Sequence, residues 1–395
     1  MSSPNERRDF ARQKVAARAQ RRTPALNWEL SAPDGIGLEV AELDFGTAPG
    51  VVQALQAAVG RAELGYLTAA RTAELAGACA DWQAAQHGWH VSPADVRPLP
   101  DVVRALHVAI EHFSAQDSPV IVPVPAYPAF LAVPRLLGRQ VIKVRFALRD
   151  GRAALDLEEL DRAFTRGGRL LVLCNPHNPL GRVFTKDELG AITEVVALHG
   201  GRVFADEVFG PVVFPGHTHV PYAATSAVAA GHTLTAVSAS KAWQLAGLKC
   251  AQVILGNDED RHHWARLGRL ATDGTSTLGV LAATAAYRGG LTWLTSVLGQ
   301  LDHNRRLLGA LLDEHLPLVR YTPPEGTFLA WLDFRGAAAV PATGLAAFFT
   351  AHSGVTALDG ADCGSGQGFL RINLGTSPAV LSRAVQRMAH TLRSR

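Results

Sequence analysis

Six short runs of Val, Ile, Leu and Ala mark the first two-thirds of the chain: SPVIVPV (118–124), QVIKVRF (140–146), RLLVLCN (169–175), GRVFADE (201–207), TLTAVSAS (233–240) and CAQVILGN (250–257). They are nearly continuously apolar rather than alternating, the pattern of strands covered on both faces. Segments with helical spacing lie between them. In DVVRALHVAIEHF (101–113), residues Val102, Val103, Leu106, Ile110 and Phe113 fall on one helical stripe. TKDELGAITEVVALHG (185–200) opens on a Thr-x-x-Glu capping box, Thr185 and Glu188, and closes on glycine. The alternation predicts an α/β fold whose mainly parallel sheet is doubly covered by helices.

Beyond residue 280 the texture changes. Helical patterns over 280–315 lead to TFLAWLDF (327–334), a further helix, GFLRINLG (368–375) and a closing helix over 377–394, the pattern of a smaller α+β lobe. The expected division is an N-terminal arm joining the small lobe (1–45), a large domain that holds the sheet (46–285) and a small C-terminal domain (286–395). A chain of 395 residues, 48% hydrophobic and 18% charged, accommodates that arrangement.

Charge and cysteine content narrow the function classes. A net charge of +3 and the absence of long like-charge blocks give no reason to expect nucleic acid. The basic stretch 6–22 is interrupted by acids and is expected to be a solvated N-terminal helix or lead-in. No apolar run is long enough for a membrane span or a secretory leader. The four cysteines (Cys79, Cys174, Cys250, Cys363) form no CxxC pair, which fits a reducing cytoplasm and argues against a zinc site. His262-His263 lacks companion ligands at metal spacing, so no metal is expected.

Ligands in parallel α/β sheets bind at the carboxyl ends of the strands. Here those ends carry PAYPAF after 118–124, NPHNPLG after 169–174, DE after 201–205, and SASK after 233–237. Each has an ordinary reading as turn chemistry. Together they bring an aromatic ring, an amide, a carboxylate and a lysine to one rim. The lysine is informative because only five of the 38 basic residues are lysines, and two, Lys241 and Lys249, stand in SASKAWQLAGLK (238–249). Arginine stays protonated, so an amine that condenses with a carbonyl must be lysine.

Pyridoxal 5′-phosphate asks a protein for that lysine, a carboxylate at the ring nitrogen, a group on the ring face and a phosphate cup. Lys241 is the candidate amine and Asp206 the candidate carboxylate. Tyr127 can stack on the ring, and Asn178 can donate to the phenolic oxygen. Ser238, Ser240 and the backbone amides of Val102 and Val103 at a helix start would receive the phosphate, with Lys249 as its counter-charge. Asn175 and His177 are read as residues that shape the loop.

The set PVPAYPAF, NPHNPLGRVFTKDEL, ADEVF, SASKAWQLAGLKCAQ and GFLRINL resembles the fold-type I pyridoxal-phosphate enzymes, the aminotransferase class I/II superfamily. Within it, LNWEL (26–30), VAELDF (40–45), LGYLTA (64–69) and AAYRGGLTWL (285–294) are most similar to the cystathionine β-lyase, or C–S lyase, branch. The resemblance implies an aspartate-aminotransferase-like large domain and a homodimer with its active site at the subunit interface. It also implies that Tyr66 reaches the neighbouring subunit's phosphate and that Arg371 clamps the substrate α-carboxylate through its planar fork.

Departures fall near the expected substrate mouth and phosphate cup. Asp101-Val102-Val103-Arg104 replaces Gly-Val-Val-Pro, so Asp101 either caps the helix or rearranges the cup. Glu39 stands for a tryptophan, Glu42 for an aspartate, and Phe209 for a tyrosine or histidine, leaving Asn178 to face the phenolic oxygen. The reaction implied is β-elimination from a cysteine S-conjugate to thiol, pyruvate and ammonia. Transamination uses the same residues and stays open, as does a decarboxylating or oxidative deamination of an S-conjugate. A regulatory protein on this fold would carry a DNA-binding domain, for which 22 leading residues are too few.

Overall fold

All six apolar runs form strands of one eight-stranded sheet, with spatial order Val96–Leu99, Ala251–Leu255, Thr233–Val237, Arg202–Asp206, Leu170–Cys174, Val120–Val124, Val141–Arg149 and Arg152–Leu155. This computed structural model describes residues 25–394 other than 150–151, 338–339, 342 and 365. The basic stretch 6–22 lies outside them. The five strands from Thr233–Val237 to Val141–Arg149 run parallel. Those from Val120 to Val237 in the sheet centre are buried along almost their whole length.

The sheet edges are antiparallel, which the apolar pattern does not report. Ala251–Leu255 returns antiparallel to Thr233–Val237 because the link between them holds only the short turn Ala246–Leu248. A parallel return needs a crossover that carries the chain back over the sheet face, usually in a helix. Two edge strands went unread: Val96–Leu99, broken by Pro98, and Arg152–Leu155, the second half of a tight hairpin. Both are short and only partly buried, so they lack a continuous apolar run.

The helix predicted over 101–113 spans Val102–His112, with Asp101 as N-cap. Thr185 and Glu188 make the reciprocal capping box of helix Lys186–Leu198. The helical region after 277 is two helices, Thr277–Gly289 and Leu291–His315, meeting at Gly290. A Cβ on Gly290 would sit 2.3 Å from Trp243 Nε1. That close approach lets the Gly290 carbonyl accept the indole N–H at 3.1 Å. Trp243 also packs edge-on against Trp82 and Tyr287, with centroids 5.1 and 5.9 Å away. Each such pair contributes about 0.5–1.5 kcal/mol beyond area burial. The cluster braces the turn that carries Lys241.

A second, four-stranded antiparallel sheet (Arg320–Tyr321, Leu329–Asp333, Phe369–Asn373, Leu358–Asp359) forms the C-terminal layer. Helix Pro378–Arg393 contributes Val380, Leu381, Ala384, Val385 and Met388 to the buried core. The N-terminal segment ties this layer to the large sheet. Ile36–Gly37 pairs with Val355–Thr356, and the Asp44 N–H donates to the Gly375 carbonyl at 2.7 Å. The Leu43 N–H donates to Gln244 Oε1 at 2.8 Å, three residues beyond Lys241. Residues 39–41 are thereby drawn along the rim of the large sheet.

Candidate active site

The parallel register puts chemistry at one edge. Asp206 is the last residue of its strand and lies opposite Cys174 on one side and Ala236 on the other. The next strand ends at Val237, so Ser238, Ser240 and Lys241 turn over the same rim. A cavity of about 390 Å³ opens there, and Lys241, Asp206, Asn178, Tyr127, Val102, Val103, Ser238, Ser240, Lys249 and Arg371 all line it. Tyr66 does not. It is 91% exposed and borders a separate cleft with Arg269 and Thr277.

Lys241 Nζ donates to the Ala41 carbonyl at 3.0 Å. Burial pushes its ammonium down to about 8, helped by the positive charge of Arg371 and opposed by Glu42 and Asp206. Asp206 is buried, and burial raises its carboxyl to about 7, against the pull of a hydrogen bond from the Val208 N–H at 3.0 Å. The other carboxylate oxygen makes no hydrogen bond to a described residue. A buried carboxylate with a vacant oxygen suits a cationic N–H partner.

The substrate side is built by Arg371, whose strand neighbours are Trp331 and Leu358. Its Nη1 donates to Asn178 Oδ1 at 3.0 Å and Nη2 to the Glu39 carbonyl at 2.7 Å. Its buried Nε has no partner among the described residues, which leaves donors for a carboxylate fork. Because Asn178 spends its oxygen on Arg371, its amide hydrogens remain to donate. Tyr127 packs edge-on to Phe130 at 5.5 Å, and burial raises its hydroxyl. Phe209 lines the cavity and stacks edge-on to Phe328 at 5.3 Å, offering no hydrogen bond.

At the phosphate end, Asp101 does two things at once. Its Oδ1 accepts the Arg104 N–H at 2.7 Å as the helix cap, and its Oδ2 pairs with Lys249 Nζ at 2.9 Å. The first-turn amides of Val102 and Val103 have no intrahelical acceptor and face an electropositive helix start. Lys249 holds a left-handed backbone with φ of 50°, a strained conformation for a non-glycine residue that is retained where a side chain has to be aimed. Ser240 Oγ makes no hydrogen bond to a described residue. The Ser238 hydroxyl donates to the Cys250 carbonyl at 2.7 Å and accepts the Ser240 N–H at 3.0 Å, so its own proton is engaged.

Asn175 and His177 shape the loop: Asn175 Oδ1 accepts the Phe184 N–H while its amide donates to the Val220 carbonyl at 3.3 Å, and His177 exchanges backbone bonds with Gly181 and Arg182. Of the two acids expected near the substrate mouth, Glu39 lines the cavity, whereas Glu42 Oε2 lies 3.4 Å from the Asn27 N–H. Sequence reasoning missed the Ala41 carbonyl, Phe130 and Leu358. A backbone acceptor has no residue signature, and two apolar residues far apart in the chain announce no site. Among the described residues no cluster could hold a metal ion, and no helix is long and apolar enough to cross a membrane.

The donor set fits pyridoxal phosphate: a depressed lysine, a buried carboxylate with a vacant oxygen, an amide donor, an aromatic face, and a helix start with a lysine beside it. The comparisons with known proteins agree. The family model for aminotransferase class I and II matches residues 33–388. The cystathionine β-lyase of Corynebacterium glutamicum is 37% identical over 93% of this chain and 96% of its own length. Cystathionine β-lyase PatB of Bacillus subtilis is 29% identical over 94% of this chain and 97% of its own. The crystal structure of cystalysin from Treponema denticola, which contains pyridoxal 5′-phosphate, superimposes with a TM-score of 0.88 at 25% identity, covering 94% and 96% of the two chains.

Proposed function

From a chain that belongs to the aminotransferase class I and II family, a pyridoxal-phosphate enzyme of the cystathionine β-lyase type, we propose β-elimination from a cysteine thioether. The products are a thiol, pyruvate and ammonia. The convergence of Lys241, Asp206, Asn178, Tyr127 and Arg371 on one cavity supports the cofactor, and the 37% identity to the cystathionine β-lyase of Corynebacterium glutamicum favours elimination over transamination.

When bound, the cofactor supplies an electron-withdrawing ring that accepts the electron pair left at the substrate Cα. Asp206 holds the proton on the ring nitrogen, and the attraction of that cation returns its own carboxyl to the ionised form. Arg371 receives the substrate α-carboxylate and, tethered by Asn178 and the Glu39 carbonyl, fixes its angle. Lys241, with its ammonium lowered to about 8, presents a neutral amine to the Cα proton at mildly alkaline pH and holds that proton as general base. Its bond to the Ala41 carbonyl restrains the side chain as the proton moves. The same nitrogen can return the proton to the departing sulfur. The three-carbon remainder takes up water to give pyruvate and ammonia. Phe130, Phe209 and Leu358 keep bulk water from the proton transfer.

We extend the proposal to the assembly. Tyr66, exposed and away from its own subunit's cavity, belongs in a homodimer to the neighbouring subunit's phosphate cup.

A panel of S-alkyl cysteines and cystathionine, assayed for free thiol, pyruvate and ammonia, tests the reaction. Equimolar thiol and pyruvate is expected. Keto acid with an aminated cofactor and no ammonia would instead mark transamination. Lys241→Ala is expected to lose both the absorbance of the lysine-bound cofactor and turnover.

A further inference from the structure

The substrate end of the cavity has apolar walls and two charged groups. Val40, Tyr127, Phe130 and Leu358 supply the walls, and Arg371 and Glu39 the charges. The other charged groups lining the cavity lie elsewhere: Asp206 and Lys241 at the cofactor ring, Asp101 and Lys249 paired with each other at the phosphate end. Once a substrate α-carboxylate sits on Arg371, that positive charge is neutralised. The Glu39 carboxylate, which makes no hydrogen bond or salt bridge to a described residue, then faces the substrate side chain with its negative charge uncompensated.

We propose that Glu39 makes this site selective for cysteine thioethers whose side chain ends in a protonated amine, a reading that rests on the lyase assignment above. Apolar walls suit the thioether and a short methylene tether, and the carboxylate at the mouth suits the terminal ammonium. A neutral tail leaves Glu39 partly desolvated without a partner, and an anionic tail adds repulsion. Burial already raises the Glu39 carboxyl; Arg371 opposes this, and the nearby Asp362 adds to it. A cation arriving there relieves an existing electrostatic cost.

The position of Glu39 is held by the backbone, since its carbonyl accepts Arg371 Nη2. The residue that anchors the α-carboxylate clamp therefore also presents the charge that reads the far end of the substrate. An ion pair of this exposure amounts to about two- to fivefold in binding.

The test compares S-(2-aminoethyl)-L-cysteine with its neutral isostere S-propyl-L-cysteine on the holoenzyme and on Glu39→Gln. Each amino acid is titrated against the cofactor spectrum for Kd, and thiol release gives kcat/KM. The wild-type protein is expected to favour the ammonium substrate by about two- to fivefold in both quantities, and Glu39→Gln to bring the ratio to about one. A wild-type ratio near one, or a preference that persists in Glu39→Gln, overturns the proposal. If Glu39→Gln does not fold, the wild-type ratio decides alone. If neither compound releases thiol, the lyase assignment fails, while the Kd ratio still reports on Glu39.

Discussion

Asp101→Asn separates the two roles of one side chain. Asparagine keeps an oxygen for the Arg104 N–H and ranks with aspartate as an N-cap, so helix Val102–His112 stays capped. What it removes is the charge that holds Lys249 at 2.9 Å. The two side chains are 59% and 37% exposed, so the pair is screened and contributes about 0.2–1 kcal/mol. A phosphate arriving at the helix start has to draw Lys249 away and sit near the remaining carboxylate. At about 5 Å in a water-like dielectric, each phosphate charge is repelled by about 0.8 kcal/mol. With nearly two such charges, Asp101→Asn should tighten cofactor binding by about 1.5–2.5 kcal/mol, roughly 10- to 70-fold. The assay is titration of the cofactor-free protein with pyridoxal phosphate, followed by tryptophan fluorescence, at low salt and at about 1 M salt, where screening reaches about 3 Å. The gain should shrink at high salt. Equal or weaker binding by the variant at low salt, with its melting temperature retained, would refute the reasoning.

Three further outcomes follow from the same site. Catalysis that needs neutral Lys241 should rise with pH through about 8, the value to which burial and Arg371 bring the free amine; a profile already flat at pH 6 would remove Lys241 as the base. In the cofactor-free protein, the folded-state carboxyl of Asp206 is raised from 3.8 to about 7. Its contribution to stability is therefore fully present below 3.8 and is lost as pH rises through about 7. Cofactor-free Asp206→Asn should accordingly gain in melting temperature relative to wild type across that window, and a constant difference would contradict the burial argument. Gly290→Ala should lower stability by about 1–3 kcal/mol, because its Cβ meets Trp243 Nε1 at 2.3 Å; thermal melts read this directly, and an unchanged melting temperature would mean the Trp243 turn yields.

Much of the fold was legible because a parallel sheet covered on both faces writes itself as unbroken apolar runs. Val120–Val124 and Leu170–Cys174 are buried throughout and apolar at every position, and Thr233–Val237 is equally buried with Thr233 and Thr235 as its only polar residues. The antiparallel edges were not legible. Val96–Leu99 and Arg152–Leu155 are partly exposed, and their pairing depends on where neighbours end.

The same division runs through the site. Residue chemistry alone singled out Lys241, since only a deprotonatable amine can condense with an aldehyde, and Asp206, as a carboxylate ending a buried strand. The order of strand ends brought Tyr127 and Asn178 to them. Only the tertiary structure decided that Asp101 both caps its helix and holds Lys249, that Ser238 spends its proton on Cys250, and that Glu39 rather than Glu42 faces the cavity. Those outcomes depend on distances between segments more than a hundred residues apart in several cases, as between Asp101 and Lys249 or Glu39 and Arg371. The sequence by itself determined which groups could do chemistry, because that is a property of each side chain. The tertiary structure decided which of them are free to do it, because a hydrogen bond or ion pair belongs to two residues and to the space between them.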